Sequence, residues 1–222
     1  NLPGRFMEAR LKYGKILLVY KIVDELPQKE ESVQIGIDLG VNTLISATDG
    51  KKAILISGRG VKSIIQYRNT KLASIQTFQA SRIKRSRRWK KLQARKFKML
   101  TKTNNKVKDL IHKATRKIAN EFSNAQAFVG EPFNNAARKM GRVQAQQVSS
   151  ACTRKIINQL DYKLSGGAIE VNEAYSSQTC LVCGCRNKCR RIYKCKSCEF
   201  SAPRDVVGST NILSIGQNSK MV

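Results

Sequence analysis

The opening third of the chain alternates apolar and polar side chains in short runs typical of β-strands. Residues 5–23 carry apolar clusters on both sides of Gly14, which predicts a hairpin, and the polar stretch 24–32 predicts a linker. Three β-rich runs follow, separated by short turn sequences, at 33–39, 43–48 and 52–57. This pattern predicts an antiparallel meander.

The pattern then becomes helical. Residues 61–122 contain no glycine and no proline and are rich in helix formers, which predicts two long helices with a break near 101–105. In the second helix, apolar residues recur at three- and four-residue steps and form one face. These are Val107, Leu110, Ile111, Ala114, Ile118 and Phe122.

The remaining elements alternate between strand and helix. Residues 125–131 predict a short apolar strand, and GGAIEVNEAY at 166–175 predicts a strand after a Gly-Gly turn. Between them a helix is predicted at 139–164, where apolar side chains repeat every four residues at Val148, Cys152, Ile156, Leu160 and Leu164. Strands alternating with helices predict an α/β domain.

Charge narrows the class of partner. The formal net charge is +27, from 42 Lys and Arg against 15 Asp and Glu, which favours a polyanionic partner. The alternatives are ribosomal or histone-like packing and adhesion to an anionic membrane. No apolar run approaches the roughly 18 residues that a membrane span requires, and the start of the chain lacks the order of a secretory signal. The sequence therefore predicts a cytoplasmic protein without a membrane partner.

A basic helical stretch concentrates this charge. From Arg82 to Lys117 there are sixteen Lys and Arg residues against one acid, Asp109. Packed like charges repel, so this stretch favours nearby phosphates, although a solvated basic face is the simpler alternative. Trp89 either stacks on a base or anchors the helix to the core, and the latter is favoured. The candidate nucleic-acid-binding residues are Arg82, Lys84, Arg85, Arg87, Arg88, Trp89, Lys90, Lys91, Arg95 and Lys96.

Six of the seven cysteines fall between residues 180 and 198. Two of these form the pair Cys180 and Cys183, and a second pair is Cys195 and Cys198; each pair has two residues between its thiols. This spacing allows each pair to turn as a knuckle and present both thiolates to one tetrahedral Zn²⁺. Four sulfur ligands leave no position for water, so the predicted role is structural. Reduced, unliganded thiols are the alternative, and Cys185 or Cys189 could replace a neighbour.

Three acids interrupt otherwise apolar elements. Asp38 lies within a predicted strand, Glu131 ends another, and Asp205 stands where a helix begins. Taken singly, they could be a turn former, a salt-bridge partner and a helix cap. Together they predict a shared Mg²⁺ site, with two ions about 4 Å apart that activate water against a phosphodiester. His112, the single histidine, is interpreted as a structural or backbone-contacting residue rather than a catalyst.

The motifs GIDLGVNTL, VGEPF, YSSQTCLVCG, YKCKSC and APRDVVGSTNIL occur in that order, with a basic helical hairpin between the first two. They resemble the C-terminal portion of the TnpB (OrfB) proteins of insertion sequences, which are relatives of the type V CRISPR effectors. The resemblance covers the chain from about Val33 to Ile215. Residues 109–122 and 141–164 also resemble helices of that family.

The resemblance implies an RNase H-like (RuvC) mixed sheet with a basic helical hairpin and a four-cysteine zinc ribbon as insertions. Asp38, Glu131 and Asp205 would be the three RuvC acids, and a guide RNA from the transposon end would pair with target double-stranded DNA that this site cuts. The implied parts are a terminal wedge or β-barrel piece with linker at 1–32, RuvC-like part I at 33–60, the basic hairpin at 61–122, RuvC-like part II at 123–175, the zinc ribbon at 176–200 and RuvC-like part III at 201–222.

The expected function is therefore RNA-guided, Mg²⁺-dependent cleavage of DNA. Because the chain begins with Asn1 on what reads as the last strands of a β-rich segment, a fragment lacking the N-terminal recognition lobe is expected. The alternatives are a non-cleaving RNA-guided DNA-binding repressor, a transposase or transposase-accessory protein that joins DNA ends, and a zinc-dependent packing protein.

Overall fold

The computed structural model describes residues 4–12, 15–21, 33–131, 141, 145–147 and 152–219, with only the backbone of residue 131. The chain divides into two compact units, Asn1–Glu30 and Glu31–Val222. In the first, β1 (Arg5–Lys12) pairs antiparallel with β2 (Lys15–Lys21), so the predicted hairpin is confirmed. The rings of Phe6 and Tyr20 meet edge to face, with centroids 5.9 Å apart.

The second unit is built on a five-stranded mixed sheet. Its strands are β3 (Val33–Leu39), β4 (Thr43–Thr48), β5 (Ala53–Ser57), β6 (Ala125–Glu131) and β7 (Ala168–Asn172), in the spatial order β5-β4-β3-β6-β7. The meander β3–β4–β5 is antiparallel, whereas β3, β6 and β7 run parallel. The carboxyl ends of the three parallel strands therefore meet at one edge of the sheet.

Helices cover both faces of this sheet. They are α1 (Arg59–Ala80), α2 (Arg87–Glu121), α3 (Thr153–Lys163) and α4 (Arg204–Asn218). Because strand side chains alternate between faces, Ile35 and Ile37 pack into the larger core with the buried side chains of α2 and α3. Gly36 and Asp38 face α4 instead, where the backbone of Ser209 approaches Gly36 so closely that a methyl group would not fit.

The predicted break within the helical stretch is wrong. The helices separate at 81–86, and α2 runs without interruption through 101–105. The Ser86 hydroxyl accepts a hydrogen bond from the backbone N–H of Trp89 and so caps the start of α2. Thr103 is buried, and its hydroxyl donates a hydrogen bond to the carbonyl of Met99, so its polar group is satisfied within the helix. The apolar face predicted from Val107 to Phe122 is confirmed, since its residues belong to the core or pack against it.

The predicted helix at 139–164 is only partly correct. Residues 145–147 are helical, but Cys152 adopts a left-handed conformation (φ 56°), and α3 begins one residue later. A left-handed residue cannot continue a right-handed helix, so the helix is not continuous through this point. The rest of the stretch before Cys152 lies outside the described residues, apart from Gly141. The strand predicted after the Gly-Gly turn is confirmed as β7, with Gly167 at φ +71°.

Among the residues that the structure describes, no helix combines the length and the apolar character that a membrane crossing requires.

Candidate active site and metal centre

A cleft of about 750 Å³ lies at the edge where the parallel strands end, and both Asp38 and Asp205 line it. Asp38 comes from β3, and Asp205 comes from the first turn of α4, 167 positions later in the sequence. The two elements meet because α4 lies directly against β3: a Cβ added at Gly208 would be 2.8 Å from Asp38 Oδ2. Two of the three predicted acids therefore share one site.

The environment of Asp38 disfavours its negative charge. Burial raises the pKa of Asp38 to about 6, and the charge of Asp205 adds to the rise. The Arg204 guanidinium and the backbone N–H of Leu39 oppose the shift by favouring the carboxylate. Two carboxylates held together in a partly buried cleft gain most from a shared cation, which would relieve their repulsion.

Thr43 fixes the orientation of Asp205. Its hydroxyl, from the first residue of β4, donates a hydrogen bond of 2.5 Å to Asp205 Oδ2. On the other side of the carboxylate, Arg204 Nε lies 3.9 Å from Oδ1. A hydroxyl that donates to an ionised carboxylate makes a short, strong hydrogen bond, so Thr43 positions this acid.

Four further charged side chains line the same cleft: Glu173, Arg59, Arg191 and Arg204. None of the four stands out in the sequence as a candidate for this site. Glu173 comes immediately after β7, and its Oε2 would be 2.6 Å from a Cβ at Gly130. Glu173 could have been found from its position directly after the third parallel strand, because the carboxyl end of that strand meets those of β3 and β6. Nothing comparable in the sequence distinguished the three arginines.

The third predicted acid, Glu131, is described by its backbone alone. It is the last residue of β6 and pairs in register with Asn172 of β7. Strand β6 also lies beside β3, with Val129 opposite Ile37. Its backbone therefore lies at the same edge of the sheet as Asp38, whereas its side chain lies outside the described residues.

The four predicted zinc ligands form one cluster. The Sγ atoms of Cys180, Cys183, Cys195 and Cys198 all lie within 4.8 Å of one another. The sulfurs of Cys180 and Cys198 are 3.5 Å apart, and those of Cys183 and Cys195 are 3.4 Å apart. Four sulfurs at about 2.3 Å from a zinc ion would be roughly 3.8 Å apart, so this cluster is suited to a metal such as zinc.

Backbone amides favour thiolates in this cluster. The backbone N–H groups of Ser197 and Cys198 lower the pKa of Cys195 to about 6. The amide of Val182 likewise donates to the sulfur of Cys180 at 3.4 Å. Metal ligation needs deprotonated sulfur, so these backbone N–H groups favour the form of the cysteines that binds a cation.

Cys185 and Cys189 do not join the four-cysteine cluster among the described residues. Cys185 is exposed, and its contribution to the loop is its carbonyl, which accepts from the Cys180 amide at 3.0 Å. The Cys189 thiol lies 3.6 Å from the Lys194 carbonyl, to which it donates. Neither replaces one of the paired cysteines in this arrangement.

The four-cysteine module packs against the same helix that carries Asp205. Strands β8 (Ile192–Lys194) and β9 (Ser201–Pro203) form its hairpin, and Tyr193 is fully buried against Val207 of α4. Asn211 of α4 donates to the carbonyls of Ser176 and Thr179 at 2.7 and 2.9 Å. These contacts join the four-cysteine loop to the helix that carries Asp205.

The ten candidate nucleic-acid-binding residues lie at 82–96, in the turn between α1 and α2 and in the first turns of α2. Trp89 is half-buried and Lys96 is also partly covered, whereas the other eight candidates are exposed. His112 lies where α2 meets α3, with its carbonyl 3.1 Å from the Lys163 ammonium group that donates to it. It does not line the cleft.

Two protein-family models match long stretches of the chain. The family model OrfB_IS605, described as "Probable transposase", matches residues 17–127. A second model, "Cas12f1-like, TNB domain", matches residues 154–212. Together these matches include Asp38, Asp205 and the four clustered cysteines.

Two curated relatives are similar over long stretches. One is InsQ of Escherichia coli (strain K12), named as a candidate RNA-guided DNA endonuclease, with 26% identity over 86% of this chain and 50% of its own length. The other is the TnpB-like protein MJ1635 of Methanocaldococcus jannaschii, with 29% identity over 54% of this chain and 28% of its own length. The chain thus spans half the length of InsQ and less of MJ1635.

Solved structures share the fold. A Cas12f1 chain from a cryo-EM complex with sgRNA and target DNA matches 92% of this chain and 53% of its own length, with a TM-score of 0.56 and 17% identity. A second, from a CRISPR-Cas12f ternary complex, matches 89% of this chain and 41% of its own length, with a TM-score of 0.54 and 20% identity. Because the OrfB_IS605 model matches half of its residues, and TnpB-like proteins such as MJ1635 are among its relatives, the chain belongs to the TnpB (OrfB) family.

Proposed function

We propose that this chain carries the nuclease centre of an RNA-guided DNA endonuclease, with an RNase H-like (RuvC-type) sheet as its scaffold. The observation that supports this most directly is the meeting of Asp38 and Asp205 in one cleft beside three arginines. A cleft that combines carboxylates for a divalent cation with guanidinium groups for phosphate suits cleavage of a phosphodiester.

The donor set in the cleft fits Mg²⁺. This ion takes hard oxygen ligands, and one or two carboxylates usually suffice because water and substrate phosphate supply the rest. Asp38 and Asp205 would hold or flank the ions, and Glu131 is proposed to hold a second one. When bound, Mg²⁺ supplies an activated water and stabilises the leaving oxygen of the phosphodiester.

The other residues of the cleft have distinct roles in this proposal. Thr43 holds the Asp205 carboxylate in place through the 2.5 Å hydrogen bond. The guanidinium groups of Arg59, Arg191 and Arg204 bind the phosphate backbone of DNA that enters the cleft. Their charge also offsets the repulsion between substrate phosphate and the carboxylates.

Guide RNA and target DNA are the proposed partners. The Cas12f1 structure that shares this fold is a complex with sgRNA and target DNA, and the name of InsQ describes RNA-guided cleavage of DNA. The guide is proposed to derive from the transposon end, and the basic hairpin α1–α2 to contact nucleic acid. Because the chain spans half the length of InsQ, a recognition lobe outside this sequence is part of the proposal.

The four-cysteine cluster is proposed to hold structural Zn²⁺. The three parts of the RuvC-like domain would be 33–60, 123–175 and 201–222, interrupted by the basic hairpin and by the ribbon at 176–200. Since the ribbon packs on α4, zinc binding would stabilise the helix that carries Asp205.

The test is Mg²⁺-dependent nicking of supercoiled plasmid by the zinc-loaded chain, with and without an RNA complementary to one plasmid strand. We expect the Asp38→Asn variant to lose cleavage by roughly three orders of magnitude or more while it retains DNA binding, because the shape of the side chain is kept and its charge is removed. The matched control is Asp109→Asn, at an exposed acid on α2 that pairs with Lys113.

Normal cutting by Asp38→Asn would refute the assignment of this cleft. A protein that includes the proposed recognition lobe and binds DNA and RNA but never cuts, with Mg²⁺ present and the acids intact, would instead support a non-cleaving RNA-guided binding protein. Joined rather than cut ends would support a transposase.

A further inference from the structure

The two helices of the basic hairpin enclose a groove of about 730 Å³ between them. One wall is a face of α1, and the other is a face of α2, since the lining residues on each helix recur at three- and four-residue steps. They are Ser63, Ile64, Tyr67, Lys71, Ser74, Ile75 and Phe78 on α1, and Leu92, Arg95, Lys98, Met99, Lys102, Thr103 and Lys106 on α2. The groove is separate from the carboxylate cleft, with which it shares no lining residue.

Two aromatic rings stand open on the α1 wall. Tyr67 is 57% exposed and Phe78 is 58% exposed, although both are large and mainly apolar. They lie eleven positions apart in α1, which separates them by about 16 Å along the helix axis. Ile75 is buried at the base of the groove between them. Rings exposed beside a formed groove are available to stack on planar groups.

The α2 wall is cationic. Arg95, Lys98, Lys102 and Lys106 recur every three or four residues, so they form a row that runs along the groove opposite the rings. Lys71 on the other wall lies 5.9 Å from the centre of the Tyr67 ring. No carboxylate is among the described residues that line the groove. Such a row repels itself unless an anion lies along it.

We propose that this groove binds a single strand of nucleic acid, with its phosphates along the cationic row and its bases on Tyr67 and Phe78. Aromatic rings beside a basic track are how proteins bind single strands without a strict sequence preference. A duplex presents its phosphates but keeps the faces of its bases stacked inside, so it would use the cations and not the rings. An apolar protein segment would leave the cations unpaired.

This inference rests on the proposed function, in which the partner is nucleic acid. It adds that the bound form is a single strand and that the groove is the surface that binds it. It is tested by binding alone, in Mg²⁺-free buffer with zinc retained, so that failure of the catalytic assignment would not affect the result. The readout is fluorescence anisotropy of a labelled oligothymidylate strand, compared with a duplex of the same length.

We expect Tyr67→Ala and Phe78→Ala each to weaken binding of the single strand by roughly five- to a hundredfold, the range for loss of one base–aromatic stack. The duplex should bind these variants as it binds the parent chain. Tyr67→Phe and Phe78→Tyr should retain single-strand affinity because they keep a ring. The Tyr162→Ala variant, at an exposed ring on α3 outside the groove, is the matched control.

A second expectation concerns the cationic side chains on the α2 wall. Lys98→Gln with Lys102→Gln should weaken both the single strand and the duplex and should reduce the salt dependence of binding, because fewer phosphates are neutralised. The proposal is overturned if the ring variants bind the single strand as tightly as the parent does, or if they lose duplex binding to the same extent. A dimer that dissociates in the Phe78→Ala variant, with oligonucleotide binding unchanged, would assign the groove to a second copy of the chain.

Discussion

The orientation of the Asp205 carboxylate depends on the hydroxyl group of Thr43, which lies 162 positions earlier in the sequence. We predict that Thr43→Val removes the hydrogen bond to Asp205 Oδ2 and reduces both the apparent Mg²⁺ affinity and the cleavage rate by about 10- to 100-fold, the range for residues that orient a metal ligand. The measurement is plasmid nicking as a function of Mg²⁺ concentration.

The Thr43→Ser variant keeps the hydroxyl and should behave like the parent chain. If Thr43→Val required no more Mg²⁺ than Thr43→Ser, the hydroxyl would have no part in positioning the acid. Valine matches threonine in shape, so a change in folding is not expected to account for the difference.

At the level of single residues, the sequence predicted which acids and cysteines lie together better than it predicted their supporting contacts. Asp38 and Asp205 stood out because an acid in an apolar element is costly without a partner. Thr43 did not, since its partner lies 162 positions away and the sequence holds no sign of that contact. The four paired cysteines were the clearest case, because their spacing alone nearly dictates the geometry of a metal site.

At the level of elements, the contact between α4 and β3 depends on Gly36. A Cβ at this position would lie 2.1 Å from the Ser209 carbonyl oxygen and 2.6 Å from the Leu213 amide nitrogen. We predict that Gly36→Ala destabilises the zinc-loaded chain by about 1–3 kcal/mol or more in urea unfolding, because α4 must move away from the sheet. Since α4 carries Asp205, cleavage should fall as well.

Gly60→Ala is the matched control, because it adds the same methyl group within α1, where the nearest atom, Leu110 Cδ1, is 3.4 Å away. Alanine is the better helix former, so this change should be neutral or slightly stabilising. Equal losses of stability in the two variants would contradict the close contact between α4 and β3.

Strands proved easier to predict than the limits of helices. The meander was predicted to within a residue, because alternation and turn sequences act locally. The helical break was predicted near 101–105, where the sequence reads TKTNN, yet the weak helix propensity of Thr and Asn costs little against the 35 residues of α2. The actual boundary is set by the Ser86 cap and by the left-handed Arg85, whose conformation the sequence did not indicate.

At the level of the whole molecule, we expect the four-cysteine loop to depend on a bound metal for its stability. We predict that the purified chain holds one Zn²⁺ and that chelation lowers the thermal unfolding midpoint and abolishes cleavage, because β8 and β9 offer little core of their own beyond Tyr193. Metal content by elemental analysis and unfolding by circular dichroism are the measurements, and readdition of zinc should restore both properties.

The Cys195→Ser variant should lose the metal, whereas Cys185→Ser should keep it, since Cys185 lies outside the cluster. Loss of zinc from both variants would contradict the ligand set. Retention of full cleavage by a zinc-free chain would contradict the link between the loop and α4.

The proposed class of partner, a polyanion, follows from the net charge of +27, which needs no fold to be interpreted. The groove in the hairpin did not follow, because it depends on where α1 turns back against α2, and the predicted break was displaced by about twenty residues. A surface between two helices is only as predictable as the turn that joins them.

One helix, α4, contacts both regions: Asp205 lines the cleft, Val207 packs against the four-cysteine loop, and Asn211 donates hydrogen bonds to the turn that leads to this loop. Each residue added to a helix rotates everything after it by about 100°. A one-residue insertion between Asp205 and Asn211 would therefore leave the carboxylate in place and turn the Asn211 amide away from the two carbonyls to which it donates. The spacing along this helix therefore fixes the distance between the carboxylate cleft and the four-cysteine loop.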